Sequence, residues 1–260
     1  VPARDPEIGN LIRSLFIPED GCEWGAFDYS QQEPRLTVHY ASEMNLVGSK
    51  EAVLGYTEKN VDFHQMVADM ANIPRKQAKV INLGLSYGMG KEKLIRELGL
   101  DDIEAEKLFQ QYHEKVPFIK ALQDQCTRIA NMKGFIKTIG GRRCRFDLWE
   151  SKFERTTPLN KDDAVNKYGD ELKRSFTYKA LNRLIQGSAA DMTKLAMIEL
   201  WKEGIVPHLQ IHDEVDISIE NHAQAKKVID IMEGCVDIAV PLLVDAELGQ
   251  SWGEVKEIIL

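Results

Sequence analysis

The pattern of apolar and polar positions divides the first half of the chain into three kinds of segment. Residues 22–30, CEWGAFDYS, form a short apolar run that predicts a strand ending at Asp28. Over residues 34–125 the pattern is mostly helical. Residues 133–146, KGFIKTIGGRRCRF, are β-rich and predict a turn at their Gly-Gly pair. This half therefore predicts one strand, a large helical region and a hairpin.

The second half of the chain predicts an insertion followed by further helices and strands. Residues 147–173 are polar and poorly periodic, which predicts a surface insertion, and residues 174–204 carry a strong helical pattern. Residues 207–220, PHLQIHDEVDISIE, alternate on both sides of a central Asp-Glu pair, as in a hairpin. A helix in residues 223–239 and a last strand in residues 241–249 follow. This order predicts an α+β fold in which the first acid and the hairpin acids share one small antiparallel sheet.

Composition and charge narrow the possible classes. The chain has 260 residues, 43% of them hydrophobic, which is enough for the core of one large or two medium domains. The net charge of -8 argues mildly against nucleic-acid binding. A binding face can nevertheless be basic while the remainder is acidic, so the distribution of charge decides the matter.

Cysteine usage and the termini indicate the compartment. The four cysteines form no CxxC pair, which argues against a zinc–thiolate site and suits a reducing compartment. No apolar run approaches the length of a membrane span, and the N-terminus does not resemble a signal peptide. The first residues, VPARDPEIG, lack an initiator Met. We expect a soluble intracellular protein that was cut from a longer chain.

Three carboxylates at predicted strand ends indicate a cation site. Asp28 ends an apolar run, and Asp213 and Glu214 lie at the predicted hairpin tip. Acids at a tight turn are commonly just solvated turn formers. If one sheet brings these acids together, however, their repulsion favours a bridging Mg²⁺, which prefers hard oxygen ligands and leaves positions for substrate phosphates. Two such ions about 3.5 to 4 Å apart can activate an attacking oxygen and stabilise a leaving one.

A second candidate feature is a cationic helix in residues 75–90. Arg75, Lys79, Leu83 and Tyr87 form a stripe on one helical face, and both cations lie in its N-terminal half. Cations beside a free helix N-terminus can bind a phosphate chain, and a solvated basic helix face is the ordinary alternative. Hard-metal ligands together with a triphosphate receptor indicate phosphoryl or nucleotidyl transfer.

Three of these stretches, in this order, resemble the motifs of family A DNA polymerases, the group of bacterial DNA polymerase I and many phage replicases. DYSQQEPR (28–35) resembles motif A, usually DYSQIELR. RKQAKVINLGLSYG (75–88) is similar to motif B, usually RRxxKxxNFGxxYG, and QIHDEV (210–215) matches motif C. The similarity extends from about Pro2 to Lys256.

The resemblance implies a palm and a fingers domain. The palm would comprise residues 1–40, with motif A, and 176–260, with motif C. The fingers would be a large helical insertion in residues 41–175, with the motif B helix at about 74–88 and the polar insertion at about 147–173. The thumb and any proofreading domain would lie upstream, so we expect this chain alone to bind DNA weakly.

The resemblance also implies the catalytic residues. Asp28 and Asp213 would hold two Mg²⁺ ions, with help from the backbone carbonyl of Tyr29 and with Mn²⁺ as a substitute metal. Glu214 would be an auxiliary acid near the primer terminus. Lys79 would bind the incoming triphosphate and donate a proton to the departing pyrophosphate.

Further residues are implied to contact the substrates. Glu33, hydrogen-bonded to Tyr87, would occupy the space that a ribose 2′-OH needs and would thereby select deoxynucleotides. The residues implied to bind the dNTP are Arg75, Lys79, His64, Leu83, Tyr87, Glu33 and Gln31. The residues implied to contact primer–template DNA are Gly88, Asn182, Gln186, His212, Arg142, Arg143 and Arg145.

The chain departs from the family pattern in motif A and in the later helix. Gln32 and Pro34 replace the usual Ile and Leu, and because Pro34 cannot donate a backbone hydrogen bond, we expect the helix after the strand to begin there. Tyr178 stands where an arginine is common, which weakens one expected DNA contact.

Two alternatives stay open beside a DNA polymerase. A single-subunit RNA polymerase shares the metal acids and the fingers lysine, but Glu33 argues against it because such an enzyme must admit the 2′-OH. The other is a non-catalytic nucleic-acid-binding piece that acts with a thumb-bearing partner, and the intact Asp28 and Asp213 argue against a decayed site. Expected partners are primer–template DNA, dNTPs and the missing thumb region or a partner that carries it, in a bacterial cytoplasm such as that of a phage-infected host.

Leu83 leads to the first testable prediction. It stands where the family usually has Phe or Tyr beside the incoming sugar, and it offers no hydroxyl there. We expect poor acceptance of dideoxynucleotides, measured as chain termination during primer extension with mixtures of dNTPs and dideoxynucleotides. Ready termination would refute this expectation.

Overall fold

The computed structural model describes residues 6–58, 62, 64–65, 68–69, 72–75, 77–79, 84, 91–154 and 156–259. The chain forms two compact units, one from Val1–Arg35 and Ser188–Leu260 and the other from Leu36–Gly187. No helix among the described residues is both long and apolar enough to cross a membrane. The four cysteines, all within the described part, are unpaired.

The bounds of the elements are as follows in the described part of the chain. The helices are Pro6–Arg13 (α1), Gln32–Glu43 (α2), Ser49–Glu58 (α3), Lys91–Leu98 (α4), Asp102–Lys115 (α5), Pro117–Lys133 (α6), Lys161–Tyr168 (α7), Ala180–Lys202 (α8) and His222–Gly234 (α9). The strands are Glu23–Tyr29 (β1), Phe135–Lys137 (β2), Arg143–Arg145 (β3), Trp149–Ser151 (β4), Leu172–Arg174 (β5), Leu209–Ile211 (β6), Glu214–Ile219 (β7), Val244–Gly249 (β8) and Lys256–Ile258 (β9). Short 3₁₀ turns lie at Thr177–Lys179 and Trp252–Glu254.

The first unit is built on an antiparallel sheet of five strands in the order β6-β7-β1-β8-β9. Successive side chains on a strand point to opposite faces, so each strand can bury one face and expose the other. One face carries Phe27, Val215 and Ile217, which pack with Met192 and Leu200 of α8 in a single apolar core. The opposite face carries the acids. The predicted α+β fold with a small antiparallel sheet is confirmed.

Local signals explain the helices of the second unit. Asp101 caps α5 by accepting hydrogen bonds from the backbone of Ile103 and Glu104, and the Glu104 side chain completes a capping box. Pro117 occupies the first turn of α6, where a missing N–H is harmless, and Gly134 ends that helix at φ 74°. The β2–β3 hairpin follows directly.

The polar segment 147–173 folds into a small element of its own. Strands β4 and β5 pair antiparallel on either side of α7. The guanidinium of Arg174 lies 4.4 Å from the centre of the Trp149 ring, and this contact joins the two strands. Strands of three residues are too short to show an alternation of apolar and polar positions, and here the stacking of Arg174 on Trp149 helps to hold them together.

The predicted bounds of three helices, α2, α8 and α9, are wrong by two or more residues. Helix α2 begins at Gln32 rather than at Pro34, since proline is tolerated in a first turn. Helix α8 begins at Ala180 rather than near residue 174, because Phe176 adopts the left-handed φ of 62° and interrupts the helix. The helix after the hairpin was predicted to continue to residue 239, but it ends at Gly234. Helix α1 and strand β9 were not predicted.

Gly25 leads to a prediction about stability. A Cβ at this position of β1 would lie 2.6 Å from Ile219 Cγ1 and 2.7 Å from Phe27 Cε2, inside the core. We expect Gly25→Ala to lower the free energy of unfolding by about 1 to 3 kcal/mol through overpacking. Urea denaturation measures the change.

Gly234→Ala is the matched control. A Cβ at the end of α9 meets nothing within 4 Å, so the same substitution should be neutral or stabilise by up to about 1 kcal/mol. Equal effects of the two substitutions would contradict the packing argument.

Candidate active site

The predicted acids meet at one end of the central strands. Asp28 of β1 is paired in register with Glu214 of β7 on one side and with Asp245 of β8 on the other. Asp213 immediately precedes Glu214 in the turn that joins β6 to β7. Asp28 is exposed, and Asp213 and Glu214 are half-buried. The sheet therefore brings the motif A and motif C carboxylates together, as the sequence predicted.

The turns that flank these acids have an uncommon backbone conformation. Gln31, just after β1, has a φ of 53°, and His212, just before Asp213, has a φ of 58°. Residues other than glycine rarely adopt this left-handed backbone conformation, and those that do cluster at functional sites. The amide of Gln210 donates a hydrogen bond to the carbonyl of His212 and holds the second turn.

Buried polar contacts fix the backbone of motif A. The fully buried Arg35 donates from Nε to the carbonyl of Ser30 at 2.9 Å and from Nη1 to the carbonyl of Pro241 at 2.6 Å. Gln32, the departure from the usual Ile, is buried and donates to Thr193 Oγ1 at 3.2 Å. The Tyr29 hydroxyl donates to the carbonyl of Met232 at 2.7 Å. The tyrosine side chain is thus anchored in the core.

The donor set fits a hard divalent cation. Asp28 and Asp213 supply carboxylate oxygens, and the backbone of Tyr29 can supply a carbonyl oxygen. In the described part of the chain, no three His, Cys, Asp or Glu side chains form a closed metal cluster. Mg²⁺ commonly takes only one or two carboxylates and completes its shell with water and substrate phosphates.

Two indoles hold further acids on the same face of the sheet. Trp252 Nε1 donates to Glu214 Oε1 at 3.0 Å, and Trp24 Nε1 donates to Asp216 Oδ1 at 3.2 Å. Burial and then the Glu214 charge raise the pKa of Asp216 to about 7. Burial also raises the pKa of Glu214, although the Trp252 hydrogen bond opposes the shift. Sequence reasoning missed Asp216, but the alternation of EVDIS already placed it on the face of Glu214.

In the second unit, Asp62 contacts two residues that the sequence assigned to the triphosphate, His64 and Arg75. Its Oδ1 accepts a hydrogen bond from the backbone N–H of His64 at 2.8 Å, and its Oδ2 lies 2.6 Å from Arg75 Nη2. Burial lowers the pKa of His64, and the nearby Lys79 and Arg75 charges lower it further against the opposing effect of Asp62. His64 is therefore neutral at pH 7. Sequence reasoning missed Asp62.

The predicted DNA-contacting arginines lie on the β2–β3 hairpin. Arg142 Nη2 donates to the carbonyl of Gly187 at 2.9 Å, next to Gln186 on α8. Arg183 donates to the carbonyl of Arg145 at 2.8 Å and was missed by sequence reasoning. The hairpin and α8 thus form one basic surface within the second unit, which we call the arginine surface: Arg142, Arg143, Arg145 and Arg183.

The structure places some of the remaining predicted residues on their helices. Asn182 and Gln186 are four positions apart on α8, so they lie on one helical face. Glu33 lies in the first turn of α2. Leu83, Tyr87 and Gly88 lie outside the described residues.

One family model and two known sequences match nearly the whole chain. The sequence model of DNA polymerase family A matches residues 1–254. The DNA-directed DNA polymerase of Pseudomonas phage M6 is 38% identical over 294 residues, covering 97% of this chain and 41% of the phage protein. The thermostable DNA polymerase I of Thermus aquaticus is 29% identical over 273 residues, covering 99% of this chain and 30% of that protein.

A solved structure is similar over nearly the whole chain. The POL domain of Pol1 from M. smegmatis, in complex with DNA primer-template and dNTP, matches with a TM-score of 0.73 at 27% identity, over 95% of this chain and 43% of that chain. The chain thus spans less than half the length of these relatives. On the match of residues 1–254, the chain belongs to DNA polymerase family A.

Proposed function

We propose that this chain is the C-terminal catalytic part of a template-directed DNA polymerase, which transfers a nucleotide from a dNTP to a primer 3′-OH and releases pyrophosphate. The observation that carries the proposal is the register that sets Asp28 opposite Glu214, directly beside Asp213. The names of the relatives support it, and the M. smegmatis structure contains the two ligand classes that the reaction requires.

The acids of the first unit take the metal-binding role in this proposal. Asp28 and Asp213, with the carbonyl of Tyr29, are the candidate ligands of two Mg²⁺ ions, for which Mn²⁺ can substitute. When bound, such ions lower the pKa of an attacking hydroxyl and neutralise charge on a leaving phosphate. Glu214 contributes a further carboxylate near the primer terminus, held by Trp252.

The residues around Asp62 take the triphosphate-binding role. Arg75 is already oriented by its ion pair with Asp62, so less side-chain entropy is lost when it binds a phosphate. His64 is neutral and can donate one hydrogen bond, whereas Lys79 is exposed and positively charged. The resemblance to motif B assigns Lys79 as the proton donor to pyrophosphate. Glu33 selects deoxynucleotides, and the other dNTP contacts are Gln31, Leu83 and Tyr87.

Primer–template DNA is the proposed macromolecular partner. The arginine surface supplies positive charge for the phosphate backbone on a chain whose net charge is -8. Asn182, Gln186, His212 and Gly88 contribute the remaining contacts. A thumb, supplied by the longer protein or by a partner, holds the duplex, and the proposed location is a bacterial cytoplasm, including that of a phage-infected cell.

Primer extension tests the proposal directly. On a primed DNA template with Mg²⁺ and dNTPs, we expect Asp213→Asn and Asp28→Asn each to lower the rate by about a thousandfold or more, because one metal ligand is lost. Chelation of Mg²⁺ should abolish extension and Mn²⁺ should restore it. Asp230→Asn is the control, because this exposed acid forms an ion pair with Lys226 within helix α9.

The outcomes separate the alternatives. Extension that both substitutions leave intact would refute the two-acid site, and a preference for ribonucleotides would favour an RNA polymerase. If the chain is inactive alone, the same variants are compared after the N-terminal region of the longer protein is supplied. Inactivity in that form as well would leave a nucleic-acid-binding role.

A further inference from the structure

The element that residues 147–173 form has no role in the mechanism above. A cavity of about 470 Å³ lies beside it, between β4, β5, helix α6 and the 3₁₀ turn before α8. Ligand pockets commonly have volumes of about 300 to 1,000 Å³. The cavity is therefore large enough for a small ligand or for one unit of a larger one, such as a nucleobase.

Three aromatic side chains line this cavity, and we call them the aromatic pocket: Trp149, Phe176 and Tyr178. The ring centres of Phe176 and Tyr178 are 6.4 Å apart, and their planes are tilted by 55°. Tyr178 is 61% exposed. Phe176 has a φ of 62°, a conformation that bulky residues rarely adopt and that clusters at functional sites. The pocket thus keeps aromatic surface accessible to a ligand.

Arg174 holds one wall of the aromatic pocket in place. Its guanidinium carbon lies 4.4 Å from the centre of the Trp149 ring, and its nitrogens donate to the carbonyls of Asn131 at 3.2 Å and Phe146 at 2.8 Å. It also packs against Gly134, where a Cβ would lie only 2.8 Å from the guanidinium carbon. Trp149 is therefore oriented before a ligand binds, so less side-chain entropy is lost on binding.

Positive charge lies beside these rings. Lys161 and Lys179 each place an ammonium nitrogen within 5.9 Å of the centre of a ring in the pocket. Neither lysine forms an ion pair with a carboxylate in the described part of the chain. Glu150, an acid that lines the cavity, is instead paired with Lys173 at 3.6 Å. Two cations are therefore available to an anionic ligand at the pocket.

The aromatic pocket also adjoins the arginine surface. The carbonyl of Phe146 accepts the hydrogen bond from Arg174, and the ring of Phe146 has its centre 4.6 Å from the guanidinium carbon of Arg183. Phe146 thus connects the two features within the second unit. A nucleic acid that binds the arginine surface through its phosphates has neighbouring nucleotides close to the pocket.

Aromatic faces combined with cations fit a single-stranded nucleic acid. Unpaired bases stack on such rings, and the phosphates between them are attracted by the ammonium groups. A base inside a duplex is already stacked on its neighbours, so it offers no free face to the pocket. An uncharged peptide would make no use of the two lysines.

We propose that the aromatic pocket binds single-stranded DNA: an unpaired base stacks on its rings, and the adjacent phosphates meet Lys161 and Lys179. The inference rests on the proposed function, since copying a template presents unpaired DNA to the enzyme. It gives the element in residues 147–173 a role. It also explains Tyr178, where the family commonly has an arginine, as the exchange of a phosphate contact for a base contact.

Three substitutions test the stacking. Tyr178→Ala removes a ring from the pocket, and because the side chain is 61% exposed the chain should still fold. Tyr178→Phe keeps the ring and removes only the hydroxyl. Trp201→Ala is the matched control, since Trp201 is similarly exposed, at 66%, but does not line the cavity.

The first readout is binding of fluorescein-labelled oligo(dT) of about 12 nucleotides, a length within the usual range for one such site. Fluorescence anisotropy is measured at low salt, where phosphate contacts are strongest. We expect Tyr178→Ala to weaken binding about tenfold, and Tyr178→Phe and Trp201→Ala to change it by less than about twofold. Unchanged binding by Tyr178→Ala, or an equal loss in Tyr178→Phe, would overturn the proposal.

A duplex of the same length separates stacking from attraction to phosphates. Tyr178→Ala should bind the duplex as the unsubstituted chain does, whereas Arg143→Ala, on the arginine surface, should weaken the binding of both DNAs. If Tyr178→Ala weakens duplex and single strand equally, the pocket does not recognise unpaired bases and the proposal fails.

The second readout locates the base. Oligo(dT) in which one thymine is replaced by 5-iodouracil is irradiated with the chain, and the crosslinked peptides are identified by mass spectrometry. We expect crosslinks at Trp149, Phe176 or Tyr178, and dTTP at the same nucleotide concentration should not suppress them. Crosslinks confined to other residues, or full suppression by dTTP, would overturn the proposal, the latter in favour of a site for free nucleotides.

Asp213→Asn keeps this test apart from that of the polymerase function. We expect this variant to lose primer extension and yet to bind oligo(dT) as the unsubstituted chain does. If Asp213→Asn abolishes extension while Tyr178→Ala binds oligo(dT) normally, the pocket fails and the polymerase function stands. If Asp213→Asn extends primers normally, the polymerase function fails, and the crosslinks alone decide whether the pocket binds single-stranded DNA.

Discussion

The pairing of β1 between β7 and β8 is the constraint on which the first unit depends. This register sets Phe27 opposite Val215 and Ala246 on the core face, and Asp28 opposite Glu214 and Asp245 on the other. A slip of one residue would exchange the two faces and place Asp28 in the core and Phe27 in water. The apolar packing of the sheet on α8 and α9 therefore fixes the positions of the acids on the opposite face.

The sequence alone predicted those structural features whose signal lies in a short stretch of residues. The alternation of HDEVDISI and the run before Asp28 predicted two strands and their acid ends. The motif resemblance then assigned candidate roles. What the sequence did not supply was pairing over long distances, such as Trp24 with Asp216, which are 192 positions apart, or Trp252 with Glu214, which are 38 apart. Neither tryptophan belongs to a motif, and neither contact has a period that a local window can detect.

In the second unit, the net charge of the chain likewise failed to predict a local basic surface. The net charge of -8 argued against nucleic acid, yet the arginine surface gathers its cations from two segments some forty residues apart, β3 and α8. Its side chains are also fixed: Arg143 lies 4.7 Å from the Phe135 ring centre and Arg183 lies 4.6 Å from that of Phe146. Cations held in this way lose little entropy on binding a phosphate backbone. A sum over the whole chain hides such a surface, because acids elsewhere cancel it.

The acids that share one face of the sheet repel one another, and this repulsion lowers the stability of the first unit. Carboxylates that face one another across strands repel, and among the described residues two indole donors and the Arg13 guanidinium act on Glu214 and Asp216. Complete neutralisation by arginine or lysine would stabilise the sheet but would occupy the oxygens of Asp28 and Asp213. Indoles carry no charge, so they can orient Glu214 and Asp216 without competing for those oxygens. The indole donors thus hold the buried Asp216 and the half-buried Glu214, while Asp28 lies at the exposed end of the strands.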